Sequence, residues 1–490
     1  MVSEVAAFGR HNARLEPVPT ALPPGDRAAR GKAARAAVPR ENHALFKPSV
    51  DRPDPVSLLE RQAVSRLPEL LPIRYGRMAA SPFAFFRGAA LVMASDLADT
   101  EVSGLTVQTC GDAHLSNFGI FGSPERRLVF DINDFDETLP GPWEWDVKRL
   151  AASAEVAARE NGFGRKQRRG IVLAAVARYR RAMRRLGEMG EVEAWQSPAE
   201  VDDLKKRFHT ILSWRERRLA DADLARARDR AGLHSLDKLI RPAAGTAGEG
   251  KADGKDGELL LASEPPLFVR VADLPDAEAS GLDTHLNGII ANYRRTLEWD
   301  RRYLIGKYQV ADMARKVVGI GSVGMRCWVI LLTGRDRQDR LFLQVKEAVP
   351  SVLSGFVGDT PYPSQGERVV AGQRLMQAAS DVFLGWNPTR SVLAHDYYVR
   401  QLRDWKFSLA VEDMDPPAMR TYAELCGQTL ARAHARSGDR IAIGAYLGKA
   451  SVFEEAVADF AADYADQNER DHASLVIAIE SGRVEAEPDA

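Results

Sequence analysis

The stretch from Thr109 to Asp146 carries the densest chemistry in this chain. Gly111-Asp112-Ala113-His114-Leu115-Ser116-Asn117 sets an acid and an amide five positions apart in a small polar loop. An apolar run, Leu128-Val129-Phe130, then delivers Asp131, Asp134, Asp136 and Glu137 within seven residues. Carboxylates beside an asparagine carbonyl are hard oxygen ligands, suited to Mg²⁺ shared between protein and substrate phosphates. Asp, Asn and Gly also populate ordinary turns. Asp131 and Asp134, however, interrupt or directly follow a hydrophobic strand, where an unpaired carboxylate is costly unless a partner or a metal compensates.

A second informative stretch runs from Lys316 to Lys346. Gly319-x-Gly321-x-x-Gly324 lies between two apolar, β-rich runs, and a third run, Leu341 to Val345, ends on Lys346. A dinucleotide-binding glycine loop would open a helix, whereas Met325 to Leu332 has the β-branched and aromatic content of a strand. Ser322 adds a hydroxyl donor within the turn. Downstream, Gly366-Glu367-Arg368 opens a helical run from Val369 to Ala379.

The first stretch resembles the catalytic core of aminoglycoside phosphotransferases and other protein-kinase-like enzymes, with their H-G-D-x-H-x-x-N loop and metal-binding D-F-G. Gly111, Asp112, His114 and Asn117 fit that loop, with Cys110 in place of the first histidine. The resemblance implies Asp112 as catalytic base or hydroxyl-orienting acid, Asn117 as a Mg²⁺ ligand and Asp134-Phe135-Asp136 in place of D-F-G. Asp146 follows twelve residues after Asp134, where those enzymes carry a structural Asp. That spacing favours Asp134 over Asp131 for the metal.

Strand, glycine turn, strand, hairpin and strand ending in lysine is also how a kinase lid covers ATP phosphates. Gly319, Gly321, Ser322, Gly324 and Lys346 are the expected nucleotide ligands. Glu367 is either the helix glutamate that pairs with Lys346 or a plain first-turn acid favouring the helix dipole. Tyr397 to Leu402 reads as the strand entering the hinge, and Tyr422 to Ala435 as the helix before the catalytic loop. The catalytic loop precedes the glycine turn, the reverse of the usual order, so the implied fold is α+β, bilobal and protein-kinase-like, with the lobes circularly permuted and extra helices.

These elements need a scaffold. The chain has 490 residues, 45% of them hydrophobic, enough for a substantial core. Lys+Arg 67 against Asp+Glu 68 leaves a net charge of −1, and nothing global points to nucleic acid or an anionic membrane. Cys110, Cys327 and Cys426 match no zinc or disulfide framework, as expected for a reducing cytoplasm. No apolar run approaches a membrane span and no signal peptide is evident, so a soluble, cytoplasmic protein is expected.

Residues 1–40 read as a disordered basic tail, with seven Lys/Arg against three Asp/Glu. Residues 41–240 form a helical, C-lobe-like part carrying the catalytic loop. A flexible Gly/Ala/Lys linker is expected over 241–260, an N-lobe-like nucleotide lid over 261–405, and a helical C-terminal part over 406–490. Arg77 and Arg87, flanking an aromatic segment, are candidate phosphate contacts or salt-bridge residues. The segment from Tyr464 to His472 either lines a substrate cleft or caps the helical lobe.

The motifs SPFAFFRG, GDAHLSNFG and FDINDFDET together resemble an uncharacterised bacterial family, domain of unknown function 2252, from about Glu41 to the C-terminal end. The expected activity is an ATP- and Mg²⁺-dependent phosphotransferase acting on an unidentified hydroxyl acceptor. Nucleotidyl (AMP) transfer on the same fold and a non-catalytic, nucleotide-binding pseudokinase are the alternatives.

Overall fold

The computed structural model describes residues 22–125, 127–197, 239–242, 259–275, 281–388, 395–402 and 410–487. Residues 198–238 of the expected helical part and 243–258 of the linker expected over 241–260 lie outside this set. So do residues 1–21 of the basic tail.

The molecule is mixed α+β. Its helical part is built from α1 (Pro24–Ala37), α2 (Pro82–Gly88), α3 (Trp143–Glu160), α4 (Arg165–Glu188), α5 (Gln365–Met376), α6 (Pro416–Ser437), α7 (Arg440–Leu447) and α8 (Val452–Glu480). Local signals start several of them. Ser81, Ser364 and Asp415 accept hydrogen bonds from the backbone N–H of Ala84, Glu367 and Ala418, and prolines open α2 and α6 where a missing donor is harmless. α3 is buried along nearly its whole length. Its Val147, Leu150, Ala151 and Ala154 join one apolar core with Val172 and Ala175 of α4, Leu430 of α6 and Phe460 of α8. No helix among the described residues is long and apolar enough to cross a membrane.

The strands are β1 (Thr106–Thr109), β2 (Phe118–Gly122), β3 (Leu128–Ile132), β4 (Leu139–Pro142), β5 (Ile240–Pro242), β6 (Leu259–Leu261), β7 (Phe268–Arg270), β8 (Gln309–Lys316), β9 (Cys327–Thr333), β10 (Arg340–Ala348), β11 (Gly385–Trp386) and β12 (Asp396–Gln401). β1 pairs with β4, β2 with β3 and β5 with β6, while a six-stranded antiparallel sheet has the order β11-β12-β10-β9-β8-β7. Strand, turn, strand, hairpin and Lys346 strand therefore form as the glycine-rich sequence predicts. The two-residue period of β10 divides its side chains. Leu341, Leu343 and Val345 pack with Leu286, Ile289 and Ile290 on one face. Phe342, Gln344 and Lys346 alternate to the other.

Two expectations need correction. The supposed tail is helical from Pro24 to Ala37 and docks on α7: Arg27 Nε donates to Asp439 at 3.0 Å, and Gly31 lies so close that an added Cβ would meet the Ala442 carbonyl oxygen at 2.0 Å. The helix is held by an ion pair and a close backbone approach, so it lacks the apolar stripe that marks most docked helices. Asp131, the second metal candidate, is fully buried in β3 and engaged elsewhere. Arg432 of α6 lies 2.9 Å from its Oδ2, and the Ala378 N–H donates to the same carboxylate at 3.0 Å.

Removing one partner of a buried ion pair strands the other charge. Asp131→Ala should lower the unfolding free energy by about 3–5 kcal/mol in urea denaturation, and pairing it with Arg432→Met should restore much of the loss. Unchanged stability of the single variant would return Asp131 to the list of ligands.

Candidate active site

Two short ladders put the acidic loops side by side. β1 leads into residues 110–117 and β2 leaves them; β3 leads into residues 133–138 and β4 leaves them. Because β1 pairs with β4 and β2 with β3, both loops emerge at the same end. The Asn133 N–H donates to the Asn117 carbonyl at 2.8 Å. Gly111 takes φ +77°, and an added Cβ would meet the Glu137 carbonyl oxygen at 2.3 Å, so only glycine permits this approach.

The catalytic-type loop is anchored from below. Asp146, in the first turn of α3, accepts the N–H groups of Cys110 at 2.8 Å and Gly111 at 3.0 Å. Nε2 of His434 lies 3.1 Å from the same carboxylate, and the other ring nitrogen lies 2.9 Å from the Tyr179 hydroxyl. His434 of α6 thus links Tyr179 to Asp146 in a buried chain beneath Cys110 and Gly111. One helical turn beyond Asp146, Arg149 places its guanidinium 2.5 Å from Asp112 Oδ1 and also donates to the Phe86 carbonyl. Arg149 was not legible as a site residue, although its i+3 spacing from Asp146 puts both on one helix face.

A cavity of about 580 Å³ opens between these loops and the six-stranded sheet. Asp112, His114, Asn117 and Asp134 line it from one side, and Gly319, Gly321, Ser322 and Lys346 from the other. Gly324 lies behind the turn, where its carbonyl accepts the Leu67 N–H at 2.8 Å. An added Cβ at Gly319 would meet nothing within 4 Å, and at Gly321 only the Arg87 carbonyl oxygen at 3.7 Å. Packing does not demand glycine at either position. Bare backbone there suits close approach by a ligand.

Lys346 does not pair with Glu367. Its ammonium forms an ion pair with Asp136 and lies 3.6 Å from Asp134. Burial pulls the Lys346 pKa down, and the two carboxylates together outweigh it, leaving the ammonium above its ordinary value. Asp136, the departure from D-F-G, also accepts from the Tyr398 hydroxyl at 2.8 Å and the Ser322 hydroxyl at 3.3 Å. Glu367 is half-buried in the first turn of α5, with its N–H capped by Ser364, because the next residue takes the inward position. Arg368 reaches the carbonyls of Asp136, Thr138 and Val349.

Asn117 donates through Nδ2 to the Asp112 carbonyl at 2.7 Å, which fixes the orientation of its amide. Among the described residues no group of three or more His, Cys, Asp or Glu side chains gathers as a metal cage. Asn117 and Asp134 supply two hard oxygen donors on the cavity wall, a set that could hold a cation only together with waters or ligand oxygens. Arg400, Gln401 and Leu402 of the expected hinge border the cavity. Arg77 holds the Val318 carbonyl at 3.3 Å. The Tyr464 to His472 segment lies in α8, with Asp471 on Arg52 and Asn468 on the Pro82 carbonyl, bracing the helical body.

Burial pushes the His114 imidazole down from 6.5 to about 4, against the pull of Asp112. A folded value below the unfolded one gives stability that is complete above pH 6.5 and is lost as pH falls through about 4. Stability measured against pH should decline over that window with a slope of up to about 1.4 kcal/mol per unit for this one proton, and His114→Asn should flatten it. An unchanged slope would show that His114 is not the group responsible.

Residues 66–478 match the family described as "Uncharacterized protein conserved in bacteria (DUF2252)", and the chain belongs to that family. Searches of curated proteins and of solved structures gave no match.

Proposed function

We propose that this family member is an ATP- and Mg²⁺-dependent phosphotransferase with a permuted, kinase-like arrangement of its two halves, acting on a hydroxyl-bearing acceptor. One observation carries the reading. Asp112, Asn117 and Asp134 line the same cavity as Gly319, Gly321, Ser322 and Lys346, although the two groups are far apart in the chain. A cavity of about 580 Å³ falls within the usual range for small-molecule and cofactor sites. Among the described residues four cations border it, Arg87, Lys316, Lys346 and Arg400, against the three carboxylates Asp112, Asp134 and Glu412. That balance suits a polyanion accompanied by a divalent metal.

Asn117 and Asp134 would hold Mg²⁺, which neutralises charge on the phosphate oxygens when bound. Lys346 donates to the phosphates from a position set by Asp136. The glycine turn brings backbone close to the same groups. Asp112, oriented by Arg149, accepts the hydrogen bond of the acceptor hydroxyl and takes its proton as the acceptor oxygen bonds to phosphorus. The bond from that phosphorus to the bridging oxygen breaks, and ADP leaves with the electron pair. Positioning and charge neutralisation carry most of such a transfer.

Asp112→Asn should cut turnover by about 10²–10⁴ while leaving Mg²⁺-ATP binding largely intact. Turnover can be followed as ADP formation against a panel of hydroxyl acceptors, with mass analysis of the product. A gain of phosphate supports this reading and a gain of AMP supports nucleotidyl transfer. ATP binding without consumption of ATP supports a pseudokinase.

A further inference from the structure

On the reading of the cavity as a nucleotide site, we infer that Arg87 is a ligand of the phosphoryl group being transferred. Arg87 stands in the last turn of α2, a short helix capped by Ser81 and pinned by the buried rings of Phe85 and Phe86. The Arg149 guanidinium lies 4.5 Å from the centre of the Phe86 ring, which ties α2 to the arginine that holds Asp112. The backbone of Arg87 runs alongside Gly321, and Arg87 is among the residues that line the cavity. It therefore stands between the glycine turn and the catalytic-type loop.

The other three cations that border the cavity among the described residues are engaged. Lys346 is held by Asp134 and Asp136. Arg400 donates to Gln344 Oε1 at 2.8 Å and to the Asn133 carbonyl at 3.2 Å. Lys316 has an interaction of its own. Arg87 differs, since its Nε is sealed from solvent with no hydrogen-bond acceptor among the described residues. Glu412, Asp112 and Glu160 exert attraction on it, yet burial dominates and draws the guanidinium below its ordinary value. Burying a guanidinium short of acceptors is costly, and an anion bound against the part of Arg87 that borders the cavity would offset that cost.

The place of that anion follows from the neighbours. Phosphates nearest Lys346 and the turn are the inner ones, and the acceptor hydroxyl lies at Asp112. A group between them is the one that changes partners. Charge there spreads over three peripheral oxygens, and a fixed guanidinium donates to two of them at once without taking part in bond making or breaking. Glu412, close enough to be felt by Arg87, borders the same wall and would steer the fork.

Calorimetric titration of the full chain with Mg²⁺-ATP and, separately, Mg²⁺-ADP tests this in the wild type, Arg87→Lys and Arg87→Ala, with thermal denaturation as the folding control. ATP affinity should fall roughly tenfold to a hundredfold in Arg87→Ala, the worth of a charged hydrogen-bond pair, while ADP affinity stays constant. Arg87→Lys, which keeps the charge but not the fork, should fall between, and it decides the question if the alanine variant fails to fold. Equal losses for both nucleotides, or an unchanged ratio of ATP to ADP affinity, would overturn the role of Arg87 and leave the nucleotide reading standing. A wild type that binds neither nucleotide removes that reading and the role of Arg87 with it.

Discussion

The contact on which the rest of the site depends is the one Lys346 makes with Asp136 and Asp134. A buried ammonium is tolerable only with nearby carboxylates, and buried carboxylates only with their lone pairs filled. Asp136 meets that condition by accepting from Lys346 of β10, Tyr398 of β12 and Ser322 of the glycine turn, while its carbonyl accepts from Arg368 of α5. Four separate pieces of the sheet side thus fasten to one residue of the acidic loop. Asp134, two positions earlier, inherits its place from that fastening.

The same economy explains the lower half. Asp146 fixes the backbone at Cys110 and Gly111 and is itself held by His434, while Arg149 on the next turn of α3 holds Asp112. A single helix therefore sets both the height of the loop and the direction of its acid. The glycine turn is clamped as well. Arg66 donates to the carbonyls of Gly321 and Val323, Leu67 to that of Gly324 and Arg77 to that of Val318. A turn secured at so many carbonyls is a fixed bracket, unlike a flap hinged only at its two strands.

Much of this was legible because spacing and residue type are local. The loop from Gly111 to Asn117, Asp134 after its strand, and the strand, turn and strand ahead of Lys346 are read from neighbours in sequence. The partners were not, because they come from distant segments. Asp131 looks like Asp134 until Arg432 arrives beside it, and nothing near Glu367 reveals that Arg368 takes the inward face of α5. Asp136 stood out only as a departure from glycine, since its value lies in contacts with β10 and β12. The helix at Pro24–Ala37 was hidden for another reason: Arg27 and Gly31 dock it without an apolar stripe.

The anchoring of β3 and α3 by α6 also bears on how the chain is made. Arg432 and His434 neutralise or fill the buried Asp131 and Asp146, yet they are synthesised after the whole of the sheet. Until α6 leaves the ribosome, the nascent half that carries the acidic loops holds two carboxylates without their proper counterparts. The acidic half is therefore complete only once the segment from Pro416 to Ser437 has been made.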